Sequence, residues 1–285
     1  MEAGAGDGAP PAPAPARRPG RIRSYLHAAL LDEWDGLDRI NRDMRLADLF
    51  TLINALMGFG ALVAASQGPP YIRLAVEMVL IGVIMDGVDG AVARLGKGNG
   101  PLGGTLDTLA DALTFVTTSA VVAFLSVVQR AQLTANWSLV VYVLPLAFYM
   151  VCGLLRLARF ESMRDDGKKR YYFSGIPTPA AAVMLLSLVL VNVSPGILLA
   201  SAFYLGVLMV SRIRFPKLRG WSAAATVAIL LAVLVTFRDA NLQGALTWGL
   251  LGFMALYVVF GPFYVLTRYG PDDPVAKDEA PNLSP

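Results

Sequence analysis

The sequence predicts an all-α integral membrane protein, with about eight transmembrane helices preceded by an interfacial amphipathic helix. Three observations carry that expectation. Of the 285 residues 55% are hydrophobic and only 16% charged, with a mean hydropathy of +0.56. That is too apolar and too charge-poor for an ordinary soluble domain. The apolar residues are gathered into runs at about 47–66, 72–94, 104–129, 137–160, 176–193, 195–211, 221–237 and 243–267. Most of these are long enough to cross roughly 30 Å of hydrocarbon at 1.5 Å per residue. Finally, 21 of the 24 Lys and Arg fall on one side of an eight-span arrangement, leaving Arg73, Arg130 and Arg238 on the other. Positive loops are retained in the cytoplasm, so a multi-pass protein of the cell membrane is expected, with its N-terminus and every second loop cytoplasmic.

The elements follow in order. Residues 1–20 are Pro, Ala and Gly with almost nothing to bury, and are expected to be a disordered tail. Arg17, Arg18, Arg21 and Arg23 lead into a mixed segment and not into an apolar one, so no cleavable signal peptide is expected. In residues 21–45, Leu30, Trp34, Leu37, Ile40 and Met44 recur at helical spacing, with Asp32, Asp35, Arg39, Arg42 and Asp43 elsewhere around the turn. This reads as a helix lying on the membrane surface, the alternative being a soluble helix packed on the protein's own loops. The transmembrane domain then occupies 46–268, and 269–285 is a flexible tail. The fifth and sixth runs are the shortest, divided only by Ser194, Pro195 and Gly196. No internal repeat supports an inverted-repeat transporter.

Composition excludes several chemistries. Cys152 is the only cysteine and lies in an apolar run, where packing is its expected role. His27 is the only histidine and precedes the first span, so neither a histidine metal site nor a Ser-His-Asp relay can be built. The basic blocks between apolar runs suit lipid headgroups, and nothing argues for nucleic acid.

Acid and base chemistry must therefore come from carboxylates, and they are concentrated where the second and third runs meet. Asp86 and Asp89 are three apart near the end of one helix, and Asp107 and Asp111 four apart at the start of the next. Each pair shares a helix face, and the glycine-rich turn between them folds the two faces together. Four anions in a partly desolvated site repel one another unless cations neutralise them. Arg94 cannot balance four charges, whereas hard divalent ions such as Mg2+ or Mn2+ can, and they also hold phosphate oxygens. Glu77 and Asp48 lie near span ends and are expected at the interface.

The run Asp86-x2-Asp89-Gly90-x2-Ala93-Arg94-x8-Gly103-x3-Asp107-x3-Asp111 places eight fixed residues over 26 positions. It resembles the signature of the CDP-alcohol phosphotransferases, the resemblance being firmest over residues 47–180. That family implies a helical membrane enzyme, often a homodimer, that displaces CMP from a CDP-linked lipid with an alcohol. Carried over, the resemblance implies Asp86, Asp89 and Asp107 as ligands of two Mg2+ or Mn2+ ions, with Asp111 as general base also near a metal. Gly90, Ala93 and Gly103 would let the nucleotide approach the backbone, and Arg94 would meet a phosphate. Thr51, Asn54 and Gly58 in the first run and Gly82 in the second resemble positions lining the nucleotide pocket. For Gly58 and Gly82, close helix packing explains the residue type equally well.

The acceptor must be read from the fourth and fifth runs. Arg156-Leu157-Ala158-Arg159-Phe160, followed by Phe173-x-Gly175-x-Pro177 and by Pro179, Ala180 and Ala181, resembles the membrane-spanning branch of the family that uses serine. The expected substrates are then CDP-diacylglycerol and L-serine. Arg156 and Arg159 share a helix face, where a guanidinium could grip the serine carboxylate. Alternatively, both are charges flanking a span on its inner side. The same chemistry on inositol phosphate, glycerol phosphate or an archaeal ether CDP-lipid stays open, as does a cation-coupled transporter using the acidic cluster.

Overall fold

The computed structural model describes residues 46–95, 103–131, 136–164, 172–216, 221–236 and 240–269. The expected tails (1–20 and 269–285) and the interfacial helix (21–45) lie outside the described residues, apart from Tyr269 at the end of the last helix. Each of the eight apolar runs contains helix. In order these are α1 (Leu46–Ser66), α2 (Pro69–Leu95), α3 (Gly103–Asp111) continuing through a π-helical turn (Ala112–Thr118) into α4 (Ser119–Ala131), α5 (Asn136–Arg164), α6 (Thr178–Leu190), α7 (Pro195–Val210), α8 (Trp221–Val235) and α9 (Ala240–Tyr269). Four helical stretches are long and apolar enough to cross a membrane by themselves: Ala47–Ser66, Gly103–Gln129, Val140–Ser162 and Leu242–Thr267. The protein is thus a helical membrane protein.

The boundaries follow local chemistry. Gly68, at φ +115°, makes the turn after α1, and Pro69 opens α2 at a position where its missing N–H costs nothing. Asn192 takes the left-handed conformation at φ +61°, which a short polar side chain tolerates, and Pro195 starts α7. The fifth and sixth runs are therefore divided just ahead of Pro195.

The short helix α6 is the centre of the bundle. Nine of its thirteen residues are buried, among them Leu185, Leu186 and Leu188, and it packs against α2, α4, α7 and α9. An apolar helix enclosed on every side has no polar face to show, which is why its residues carry no amphipathic pattern. Cys152 is buried in the same core, as its surroundings in the sequence suggest.

One element departs from the all-α expectation. Strand β1 (Tyr172–Ser174) pairs antiparallel with β2 (Arg214–Pro216), Phe173 facing Phe215 in register. The ladder ends at Gly175, which has φ +78° and donates its N–H to the Ile213 carbonyl at 2.8 Å. A Cβ there would strike the Met209 carbonyl, so the conformation and the close approach both require glycine. Three-residue strands are too short for a period-two pattern to show in the sequence.

Glu77 and Asp48, expected at the interface, are both buried. Glu77 accepts a hydrogen bond from Gln243 Nε2 at 3.2 Å, a partner 166 residues away on α9. The bundle supplies a donor that the local sequence does not reveal.

Candidate active site

The end of α2 and the start of α3 converge, and carboxylate oxygens of Asp86, Asp89 and Asp107 lie within 4.8 Å of one another. Asp89 is 6% exposed, and its Oδ2 accepts a hydrogen bond from Thr51 Oγ1 of α1 at 2.9 Å. Thr51 can reach it because α1 and α2 form a close hairpin. Oxygen donors gathered in this way suit a hard divalent cation.

The cluster opens into a cavity of about 380 Å³. Asp86, Asp89, Asp107 and Asp111 line one part of it, with Gly87 and Gly90 bringing the α2 backbone to its surface. Arg156 of α5 lines it too, 7% exposed, donating from Nη1 to Thr178 Oγ1 at 3.1 Å with its guanidinium carbon 5.8 Å from the centroid of the Phe173 ring. Among the described residues Asp111 Oδ1 and Arg156 Nε are buried without a hydrogen-bond partner. Orphaned buried polar atoms are costly, and both belong to side chains that line the cavity. The rest of the wall is mainly apolar, with Val83, Val183, Leu230 and Met254.

The residues singled out in the sequence separate here. Gly103 is buried at the start of α3, and Ala93 and Arg94 fall in the last turn of α2 with their side chains outside the described set. Thr51 contacts the site through Asp89. Asn54 is fully buried and off the cavity lining, and its carboxamide finds no partner among the described residues. A Cβ at Gly82 would come within 2.7 Å of Asn54 Oδ1, and one at Gly58 would strike Thr114, so at both glycines the contacts are those of close helix packing. Arg159 lies off the cavity lining and donates to the carbonyls of Ser174 (3.0 Å), Val210 (3.3 Å) and Ser211 (3.5 Å). It ties β1, the strand that carries Phe173, to the end of α7.

Several residues around the cavity went unread in the sequence. Thr178 opens α6 after Pro177 like any polar residue at a helix start, and nothing local pairs it with Arg156 twenty-two residues earlier. Thr108, between Asp107 and Asp111, donates to Glu161 Oε2 at 2.9 Å and so joins α3 to α5 at the cavity. Thr226 and Leu230 of α8 and Met254 and Tyr257 of α9 reach the wall from apolar runs without a motif.

Residues 44–213 match the family model described as CDP-alcohol phosphatidyltransferase. The chain is 32% identical over 155 residues to the CDP-diacylglycerol--serine O-phosphatidyltransferase of Mycobacterium tuberculosis, covering 53% of this chain and 51% of that protein. It thus spans about half the length of that relative. It is 29% identical over 222 residues to the protein of the same name from Helicobacter pylori, covering 75% and 88% of the two chains. With the archaetidylserine synthase of Methanothermobacter thermautotrophicus it shares 30% identity over 191 residues, 65% of this chain and 76% of that one. A family match over more than half of the chain means that the protein belongs to the CDP-alcohol phosphatidyltransferase family.

Proposed function

We propose that this chain is a multi-pass CDP-diacylglycerol:serine phosphatidyltransferase, making phosphatidylserine and CMP at the cytoplasmic face of the cell membrane. The observation that carries the acceptor is that Asp111 and Arg156 line one cavity, each with a buried polar atom, Oδ1 and Nε, that finds no partner among the described residues. Serine offers a hydroxyl to the first and a carboxylate to the second. The names of the Mycobacterium and Helicobacter relatives point to the same reaction.

Asp86, Asp89 and Asp107, with Asp111 beside them, would hold Mg2+ or Mn2+, and two such ions would offset the four negative charges. When bound, the ions supply charge neutralisation at the pyrophosphate and at the departing CMP. Thr51 holds the Asp89 carboxylate in the orientation that suits a ligand. Gly87 and Gly90 leave room for the CDP group against α2. The family resemblance assigns Arg94 to a phosphate and Ala93 and Gly103 to the nucleotide's backing, while Asn54 and Gly82 would act from behind, by packing. Arg156 grips the serine carboxylate and so aims the hydroxyl at Asp111, whose Oδ1 accepts its proton. The serine oxygen then bonds to the lipid-linked phosphorus as the bond from that phosphorus to the CMP oxygen breaks. No covalent enzyme intermediate is needed.

Three further points belong to this reading. The distribution of Lys and Arg supports eight crossings with both termini in the cytoplasm. The shorter helices α6, α7 and α8 would complete the eight crossings, α6 being the one enclosed by protein. The family resemblance also implies a homodimer.

The test is CMP release by the purified protein with Mg2+ or Mn2+. Serine should stimulate release from CDP-diacylglycerol, and release with inositol phosphate or glycerol phosphate in its place would reassign the acceptor. The archaeal relative motivates a second donor, an ether-linked CDP-lipid, in the same assay. Thr51→Val tests the cation site independently of turnover. Losing an outer hydrogen bond to a ligand should raise the Mn2+ concentration for half-saturation, read by EPR titration, about tenfold. An unchanged Mn2+ affinity would remove Asp89 orientation from the role of Thr51.

A further inference from the structure

Seven residues after Tyr149 on α5 comes Arg156, two helical turns along the same face. Tyr149 is fully buried, and its hydroxyl donates to the Phe115 carbonyl at 3.1 Å. Phe115 lies four residues beyond Asp111, inside the π-helical turn Ala112–Thr118. We propose that Tyr149 is a positioning residue: through the π-helical turn it sets Asp111 in register with Arg156. This rests on the reading of Asp111 as base and Arg156 as carboxylate grip.

The wide turn is held by two neighbouring helices and by Ser119, just beyond its own end. Thr114 Oγ1 donates to the Asn54 carbonyl at 3.0 Å and Thr118 Oγ1 to the Gly58 carbonyl at 3.3 Å, which zips the turn onto α1. Ser119 Oγ donates to the Thr114 carbonyl at 3.3 Å, and Tyr149 takes the next carbonyl along. In an ordinary α-helix these carbonyls would serve the ladder alone, so side-chain donors aimed at them favour the wider form.

A π-helical turn adds about one residue, or about 100° of rotation, relative to an uninterrupted α-helix. In α register Asp111 would share a face with Thr114, Phe115 and Thr118, which pack inward against α1 and α5. The extra residue lets those three keep their packing while Asp107 and Asp111 turn to the cavity. The same arrangement explains the small residues opposite. Gly58 and Gly82 leave room for Thr114, and Gly153 of α5 leaves room for Val116.

Tyr149→Phe removes the hydroxyl and keeps the ring. Serine-dependent kcat should fall between about tenfold and about 100-fold, because a misplaced base slows chemistry steeply, with KM for CDP-diacylglycerol within about twofold of wild type. A residue that only held the fold would lower the amount of active protein and weaken lipid binding along with turnover. Full kcat in Tyr149→Phe, or a rise in KM for the CDP-lipid that accounts for the whole loss, overturns the proposal. Should that variant fail to fold, Ser119→Ala is judged by the same criterion. Wild type releasing no CMP with any alcohol would instead sink the reaction reading. Cryo-EM of the variant then decides: residues 112–118 relaxing to α-helix with Asp111 rotated off the cavity support the proposal, and an unchanged turn overturns it.

Discussion

Asp111→Asn is expected to lower CMP release by about 10³-fold while CDP-diacylglycerol still binds. The substitution keeps the shape of a side chain that lines the cavity and whose Oδ1 has no partner among the described residues. It replaces an oxygen that can accept the serine proton with an amide that cannot. Single-turnover CMP release, together with binding of the CDP-lipid to the same preparation, separates the two effects. Equal losses in binding and turnover would make Asp111 a substrate-binding group and leave the base unassigned. A protein that carries out no phosphatidyl transfer, such as a transporter using the cluster as a cation site, has no turnover for the variant to lose.

Arg156→Lys is expected to raise KM for serine by about 30-fold, with KM for CDP-diacylglycerol unchanged. Lysine keeps the charge, so electrostatic balance against the carboxylates survives. It loses the planar fork that can meet a carboxylate with two parallel bonds, the contact with Thr178 and the stacking on Phe173. Charge-assisted hydrogen bonds contribute about 1.5–3 kcal/mol each, and every 1.4 kcal/mol is tenfold in affinity. Steady-state kinetics with each substrate varied in turn checks this. A rise in KM for the CDP-lipid alone would move Arg156 from the acceptor to a donor phosphate. Arg159→Lys supplies the contrast, since Arg159 is engaged by three backbone carbonyls and does not line the cavity.

The carboxylate cluster was legible in the sequence to the extent that it is local. Asp86 and Asp89 share one helix, Asp107 and Asp111 the next, and the connection between them is short. Helical spacing and a short connection are enough to bring the pairs together, and the structure gathers Asp86, Asp89 and Asp107. The Arg156 side of the cavity was less legible because it is assembled from distant segments. Spacing alone treats Arg156 and Arg159 alike, three apart on one face. Packing divides them: Thr178 and Phe173 hold the first in the cavity, and the carbonyls of Ser174, Val210 and Ser211 take the second.

The sequence by itself determined the class of the protein, because runs of apolar residues long enough for a bilayer and a one-sided distribution of Lys and Arg leave few alternatives. It also pointed to carboxylate chemistry, since the chain has one cysteine and one histidine and gathers its aspartates where two apolar runs meet. What tertiary structure decided is everything that depends on contact between helices that are far apart in the chain. Thr51 holding Asp89, Glu77 buried against Gln243, the short ladder of β1 and β2, and the π-helical turn after Asp111 are of this kind. Inside an apolar bundle most residues look alike to a periodicity argument, so which small or polar side chain meets which is settled by packing and by the need to satisfy every buried donor and acceptor.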